Sequence, residues 1–128
     1  MILVTLTIAP PPGGCQKIID VFWLIIGPIR AQPGCLGCGL YQEISERNQL
    51  ENQLLYMETW ETQEQLERHM RSARYERLVS VMEASVDRPV LRYLTTSTMR
   101  GVEYLEAVRM GSPPWPPGRD GDWQEDER

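Results

Sequence analysis

Apolar and polar residues follow two different periods in the first quarter of this chain. Residues 2–8, ILVTLTI, are rich in β-branched side chains and are followed by three successive prolines, which predicts a first strand. From about Cys15 to Ala31 the apolar side chains recur at helical spacing, at Ile18, Val21, Phe22, Ile25 and Ile29. This spacing predicts a helix. Gly27-Pro28 is expected to kink or end it early, because proline lacks a donor and clashes with the preceding turn.

The predicted helix also carries apolar side chains outside that main stripe. They are Ile19, Trp23, Leu24 and Ile26. One face of a sheet would leave some of them in water, so the width of the stripe predicts a second buried surface.

The middle of the chain predicts a hairpin followed by two helices. Pro33-Gly34 leads into a second strand over residues 35–44, and a polar link over 45–52 joins it to a third strand, QLLYMETW. Thr62 is expected to cap a helix, with Gln65 completing a capping box. Two apolar faces of different phase follow, the first with Leu66, His69, Met70 and Ala73 and the second with Tyr75, Leu78, Val79 and Met82. The change of phase predicts two short helices joined near Ser72.

The remaining segments complete a β-α-β-β-α(α)-β order. Residues 90–98 predict a final main strand, and residues 101–109 fit either a short strand or a helical turn. This order predicts an α+β fold of the ferredoxin-like split β-α-β type, with a four-stranded antiparallel sheet and helices on one face only. The other face needs a partner or water, and a second subunit is expected there. Residues 1–110 are predicted to form this domain, and the proline-rich, acidic residues 111–128 a disordered tail.

Composition and charge exclude several classes of protein. The chain of 128 residues has a formal charge of −5, and residues 111–128 with five acids and two arginines account for −3 of it. The nearly neutral body lacks the basic surface that nucleic-acid binding requires. The most apolar segment, 18–29, is too short to span a membrane, and the amino terminus lacks the positive region of a signal peptide. Three cysteines are too few for a disulfide scaffold and predict a reducing, cytoplasmic setting.

Glu58 is an acid in the middle of an apolar predicted strand. Alternation along the strand puts it on the same side as Tyr56 and Trp60. An acid among aromatic rings is expected to be desolvated, which would raise its pKa and suit it to acid–base chemistry. The alternative is that Glu58 pairs with an arginine of a neighbouring strand, such as Arg92.

The single histidine and the CxxC sequence are the other candidates for chemistry. His69 lies on the inward stripe of its predicted helix, where it could be a core side chain or could reach a cavity shared with Glu58. Cys35 and Cys38 are three positions apart on a strand and are expected to point to opposite faces, so they could not share a metal ion. They are interpreted as structural cysteines.

Three features together resemble the antibiotic biosynthesis monooxygenase family. They are a strand ending in ETW, a capped helix starting just after it, and a histidine nine residues past the tryptophan. In addition, QPGCLGCGLYQ resembles the family's Pro-Gly turn and second strand, and HMRSARYERLVSVM its histidine-bearing helix, break and following helix. The resemblance covers about residues 1–98.

The resemblance implies a dimeric α+β barrel in which two ferredoxin-like subunits pack sheet against sheet. Family members include quinol monooxygenases, which oxidise phenolic or hydroquinone rings with O₂ and no prosthetic group. The haem-degrading branch uses an asparagine, a tryptophan and a histidine where this chain has Thr5, His69 and Val79. The resemblance therefore implies neither haem nor another cofactor.

The predicted function is thus a homodimeric, cofactor-independent monooxygenase that oxidises a small phenolic or hydroquinone-type aromatic with O₂. His69 first and Glu58 second would act as the base, and Tyr56, Trp60 and Phe22 would bind the substrate ring. One alternative is a non-catalytic, small-ligand-binding protein on the same barrel, since a fold does not fix a function. Another is an assembly partner with a vestigial pocket, which docks through its proline-rich tail.

Overall fold

A computed structural model of the chain describes residues 1–44 and 53–111. The strands and helices are β1 Ile2–Ile8, α1 Cys15–Arg30, β2 Cys35–Gln42, β3 Leu54–Trp60, α2 Gln63–Met70, α3 Tyr75–Glu83, β4 Val90–Thr95 and α4 Val102–Arg109. The described chain falls into two compact units, the first Met1–Leu94 and the second beginning at Thr95. The predicted link over 45–52 and the predicted tail from residue 112 onward lie outside the described residues.

The strands form one four-stranded sheet in the order β2-β3-β1-β4. β3 runs antiparallel to both β1 and β2, and it brings Val4 and Cys38 opposite Glu58 on its two sides. The strand order of this sheet and the β-α-β-β-α-α-β order of the elements along the chain confirm the ferredoxin-like α+β fold expected from the sequence.

The hydrophobic core lies between one face of the sheet and the helices. β1 and β3 alternate strictly between buried and half-buried side chains, as their sequence period requires. The buried members of these two strands are Ile2, Val4, Leu6, Ile8, Leu54, Tyr56, Glu58 and Trp60. The helices bury Ile18, Phe22, Ile25, Ile29, Leu66, His69, Leu78 and Val81 against them. Glu58 and His69 are the polar residues in this core, within the described part of the chain.

α1 departs from its sequence-based prediction at its carboxyl end. It runs through Gly27-Pro28 to Arg30, so the expected early end of the helix is wrong. Proline costs the helix one backbone donor there, while the buried Ile29 anchors the last turn in the core. Within this one chain Trp23 and Leu24 are 78% and 63% exposed, so the second buried surface expected for the outer stripe stays a prediction.

The entry to α2 and the break after it follow local sequence signals. The Thr62 hydroxyl caps α2 by accepting from the Gln65 N–H at 3.3 Å, which confirms the predicted cap. Gly34 precedes β2 with φ +86°, and the Gln65 side chain occupies the space where a Cβ at Gly34 would lie. The Ser72 hydroxyl donates to the His69 carbonyl at 2.6 Å and the chain turns there, so two helices form as predicted.

The second unit contains α4. Its helical conformation settles the sequence ambiguity of residues 101–109. The Gly101 N–H donates to the Glu103 carboxylate at 2.9 Å, and the Arg100 guanidinium lies 5.0 Å from the centre of the Tyr104 ring. None of the helices in the described ranges is both long and apolar enough to cross a membrane.

Candidate functional site

The Glu58 carboxylate is buried in the centre of the sheet and accepts hydrogen bonds from three side chains. The Tyr56 hydroxyl donates to Oε2 at 2.5 Å and the Trp60 indole N–H to Oε1 at 2.8 Å. His69 Nε2 lies 3.1 Å from Oε2. Glu58 is 1% exposed and the other three side chains are fully buried. These four side chains, together with Gln32 described below, form what we call the carboxylate network.

These hydrogen bonds reverse the expected direction of the Glu58 pKa. Burial by itself raises the pKa, but the hydrogen bonds from His69, Tyr56 and Trp60 favour the charged carboxylate, and the net effect lowers the pKa from its ordinary value of 4.5. The expectation of a raised pKa is therefore wrong. The two aromatic neighbours desolvate Glu58, but each also brings a polar hydrogen that points at the carboxylate.

The alternative pairing of Glu58 with Arg92 is not formed between these two described residues. β4 presents Leu91 to the core, and Tyr93 is hydrogen-bonded to Tyr75 of α3. Because side chains alternate along a strand, Arg92 lies on the other face of the sheet from Glu58.

His69 is clamped between aromatic rings on the inward side of α2. Its ring stacks on Trp60 with centroids 5.0 Å apart and meets Tyr75 edge-on at 5.3 Å. The Gln32 side-chain amide nitrogen lies 3.2 Å from His69 Nδ1. An amide nitrogen can only donate, so Nδ1 is the acceptor, and the ring proton is on Nε2, from which it is donated to Glu58. Glu58 thereby orients His69 with its basic nitrogen, Nδ1, facing Gln32.

Sequence reasoning did not find Gln32. It lies in the turn between α1 and β2, where its N–H donates to the Ile29 carbonyl and its carbonyl accepts from the Cys35 N–H, both at 3.1 Å. Its position before Pro33-Gly34 indicated a turn, but no local signal indicated a histidine partner 37 positions later in the chain. The docking of α2 beside the turn between α1 and β2 creates this contact.

Phe22 lies on the other side of Tyr56. The two rings stack with centroids 4.8 Å apart and an angle of 29°. Phe22 also lines a cavity of about 510 Å³ between α1 and β2, whose walls do not include Tyr56, Glu58, Trp60 or His69. Of the five candidate site residues, four therefore belong to the carboxylate network, and the fifth separates it from a cavity.

The two cysteines of β2 lie on the same face of the sheet, so the expectation of opposite faces is wrong. A bulge between Cys35 and Gly37 adds a residue to β2, and Cys35 and Cys38 pair with Trp60 and Glu58 of β3, which share a face. The Cys38 thiol donates to the Tyr56 oxygen at 3.2 Å, and burial raises its pKa to about 11. Cys38 thus extends the carboxylate network by one donor. No group of three or more metal-ligating side chains occurs in the described residues.

Comparisons with known proteins identify a family and a fold. Residues 1–80 match the family model described as "Antibiotic biosynthesis monooxygenase". The fold is similar to that of Rv0793 from Mycobacterium tuberculosis, with 21% identity, a TM-score of 0.66 and coverage of 78% of this chain and 98% of that one. A conserved protein from Methanosarcina mazei Go1 is similar at 22% identity and a TM-score of 0.65, with coverage of 75% and 92%.

A third solved structure is that of a variant of SnoaB, a cofactor-independent oxygenase from Streptomyces nogalater. It shares 13% identity with this chain at a TM-score of 0.63, over 77% of this chain and 94% of that one. At these identities the solved structures establish a common fold. Comparison with curated proteins gives no match.

Proposed function

The chain belongs to the antibiotic biosynthesis monooxygenase family, and we propose that it is a cofactor-independent monooxygenase of a small phenolic or hydroquinone-type aromatic. The observation that carries the proposal is the buried pair of Glu58 and His69, in which a carboxylate fixes the ring proton of the histidine on Nε2. With its proton held on Nε2 by the carboxylate, the ring presents Nδ1 as an acceptor, which is the arrangement that a general base needs.

The substrate would meet His69 at Nδ1. That nitrogen now accepts from the half-buried Gln32 amide, which lies in a turn and not within a helix or strand. A phenolic hydroxyl of the substrate would take the place of this amide and donate to Nδ1. Trp60 would keep the imidazole in its plane, while Tyr56 and Phe22 would exclude water behind it.

Proton transfer to Nδ1 would leave a phenolate that is electron-rich enough to reduce O₂ by one electron. Recombination of the two radicals forms a carbon–oxygen bond and gives a peroxide. Cleavage of the O–O bond leaves one oxygen on the ring as a carbonyl and releases the other as water. The substrate loses four electrons and O₂ gains four, so no other reductant is needed.

The unit proposed to act is a homodimer. The sheet face away from the helices carries half-buried Leu3, Leu55 and Met57, which a second copy would cover. A reducing, cytoplasmic setting is part of the proposal, and all three cysteines are free thiols.

The test is oxygen uptake by metal-stripped protein with a panel of hydroquinones and polycyclic phenols. His69→Ala is expected to lower turnover by ~10²–10⁴-fold, the usual contribution of a general base, and Glu58→Gln by a smaller factor. Arg68→Ala changes the exposed neighbour of His69 on α2 and serves as the control, with unchanged turnover. Equal uptake by the wild type and His69→Ala would rule out the proposed base.

One observation favours the alternative of a non-catalytic binding protein. Glu58 and His69 are 1% and 0% exposed, and the two atoms that join them are already hydrogen-bonded to each other. A network of this kind can serve stability alone. Saturable binding of an aromatic without oxygen uptake from any member of the panel would support this function.

A further inference from the structure

The outer stripe of α1 is not explained by the core or by the carboxylate network. It consists of Ile19, Trp23, Ile26 and Arg30, at helical positions i, i+4, i+7 and i+11. These residues lie beside the buried stripe that contains Phe22 and share one side of the helix. Trp23, the largest of them, is 78% exposed. A continuous exposed apolar stripe marks a surface that contacts a ligand or another macromolecule.

This stripe forms one wall of the cavity between α1 and β2. The cavity has a volume of about 510 Å³, within the ~300–1,000 Å³ range of small-molecule sites. Phe22 and Gly27 of α1 and Leu40 of β2 complete its lining. Since Phe22 is stacked on Tyr56, a ligand here would be separated from Glu58 by two aromatic rings.

Arg30 gives the cavity its charge. Its Nε donates to the Cys38 carbonyl at 2.8 Å, which fixes the orientation of the guanidinium plane at the end of the stripe. Within residues 1–44 and 53–111, no carboxylate forms an ion pair with Arg30. A guanidinium that is anchored through Nε keeps the N–H groups of its two terminal nitrogens available for an anion.

We infer that this cavity binds a planar aromatic anion, of the aryl carboxylate or naphthoate type. The ring would pack against Trp23, Phe22 and Leu40, and the carboxylate would accept hydrogen bonds from Arg30. The site is separate from His69 Nδ1 and does not depend on the proposed oxygenation. It would be present whether the protein is an oxygenase or a binding protein.

Titration calorimetry of 2-naphthoate binding at neutral pH tests the inference. Its neutral counterpart, 2-naphthamide, offers the same ring without the charge. Arg30→Gln is expected to weaken the binding of naphthoate by about tenfold or more and to leave the binding of naphthamide unchanged. Trp23→Ala is expected to weaken the binding of both compounds by a similar factor, because it removes the ring contact alone.

Matched controls come from the lining of a second cavity, which lies between α1 and α3. Leu24→Ala removes an exposed apolar side chain of the same helix, and Arg77→Gln removes a cation that lines a different cavity. Both are expected to bind naphthoate as the wild type does. Because Trp23 and Arg30 are exposed, their variants are expected to keep the thermal stability of the wild type.

Three results would overturn the inference. The first is the absence of naphthoate binding at millimolar concentration. The second is equal weakening by Arg30→Gln and Arg77→Gln, which would indicate a general charge effect. The third is that Trp23→Ala dissociates a dimer in sedimentation experiments while naphthoate has no effect on it, which would assign the stripe to a second copy of the chain.

Discussion

His69 Nε2 on α2 lies 3.1 Å from Glu58 Oε2 on β3, and neither side chain is more than 1% exposed. The two residues are 11 positions apart in the chain. β3 ends at Trp60 and α2 begins at Gln63, so the chain reverses within two residues and α2 contacts the strand that carries Glu58.

The first prediction concerns the tautomer of His69. Because Gln32 donates to Nδ1, the neutral ring is expected to carry its proton on Nε2. Long-range ¹⁵N–¹H correlation measures this directly, and the single histidine of the chain makes the signal unambiguous. Arg68→Ala should leave the pattern unchanged. A ring protonated mainly on Nδ1 would contradict the hydrogen-bond directions given above.

The second prediction concerns the dependence of stability on pH. The pKa of Glu58 is lowered in the folded protein, so its contribution is present above its ordinary value of 4.5 and is lost as the pH falls through the folded value. Glu58→Gln should therefore lower the free energy of unfolding by about 3 kcal/mol near neutral pH. This difference should shrink below about pH 4.5.

Urea denaturation at several pH values measures this difference. The control is Glu61→Gln, which changes an exposed carboxylate just past the end of β3. Its effect is expected to stay within about 0.5 kcal/mol. If the loss in free energy of unfolding caused by Glu58→Gln stayed constant from neutral to acid pH, the lowered pKa of Glu58 would be refuted.

The third prediction concerns Tyr56, whose hydroxyl donates to Glu58 and accepts from the Cys38 thiol. Burial and the adjacent carboxylate raise the pKa of Tyr56 far above its ordinary value of 10, so it remains a donor at any pH of interest. Tyr56→Phe is expected to lower the free energy of unfolding by about 2 kcal/mol, as for a lost hydrogen bond to a charged group. Tyr41→Phe, at a tyrosine that is 57% exposed on β2, is the matched control. Equal effects of the two substitutions in urea denaturation would contradict the assigned role.

The fourth prediction concerns the reactivity of Cys38. Burial raises its pKa to about 11, so its thiolate fraction near pH 8 is about 100-fold smaller than that of an ordinary thiol. Alkylation by iodoacetamide, followed site by site with mass spectrometry, should therefore be slower at Cys38 than at an ordinary thiol by about that factor or more. Labelling in urea provides the control, since unfolding should remove the protection. Rapid labelling of Cys38 in the folded protein would be inconsistent with its buried position and its hydrogen bond to Tyr56.

The fifth prediction tests the proposed homodimer. Met57 is half-buried on the sheet face away from the helices, opposite Thr5. Met57→Glu would place a charge in the sheet-to-sheet contact and is expected to shift the chain from dimer to monomer in sedimentation velocity. Leu24→Ala on α1 should leave the dimer intact. A wild-type chain that sediments as a monomer would remove the basis for the barrel arrangement.

The sequence by itself determined the properties that depend on local period and local caps. The alternation of β1 and β3 fixed which side chains face the core, including Glu58 between Tyr56 and Trp60. The Thr62 hydroxyl fixed where α2 begins and hence that His69 points inward. These features follow from neighbours within a few positions, because strand and helix geometry decide them before any packing occurs.

Only the tertiary structure decided the chemistry of the site. The direction of the Glu58 pKa depends on the His69 hydrogen bond, which requires α2 to dock against the sheet. The tautomer of His69 depends on Gln32, which comes from the turn between α1 and β2. The relation of Cys35 to Cys38 depends on a bulge that appears only when β2 pairs with β3. Each of these contacts joins distant parts of the chain, and residue spacing does not contain the register and docking that bring them together.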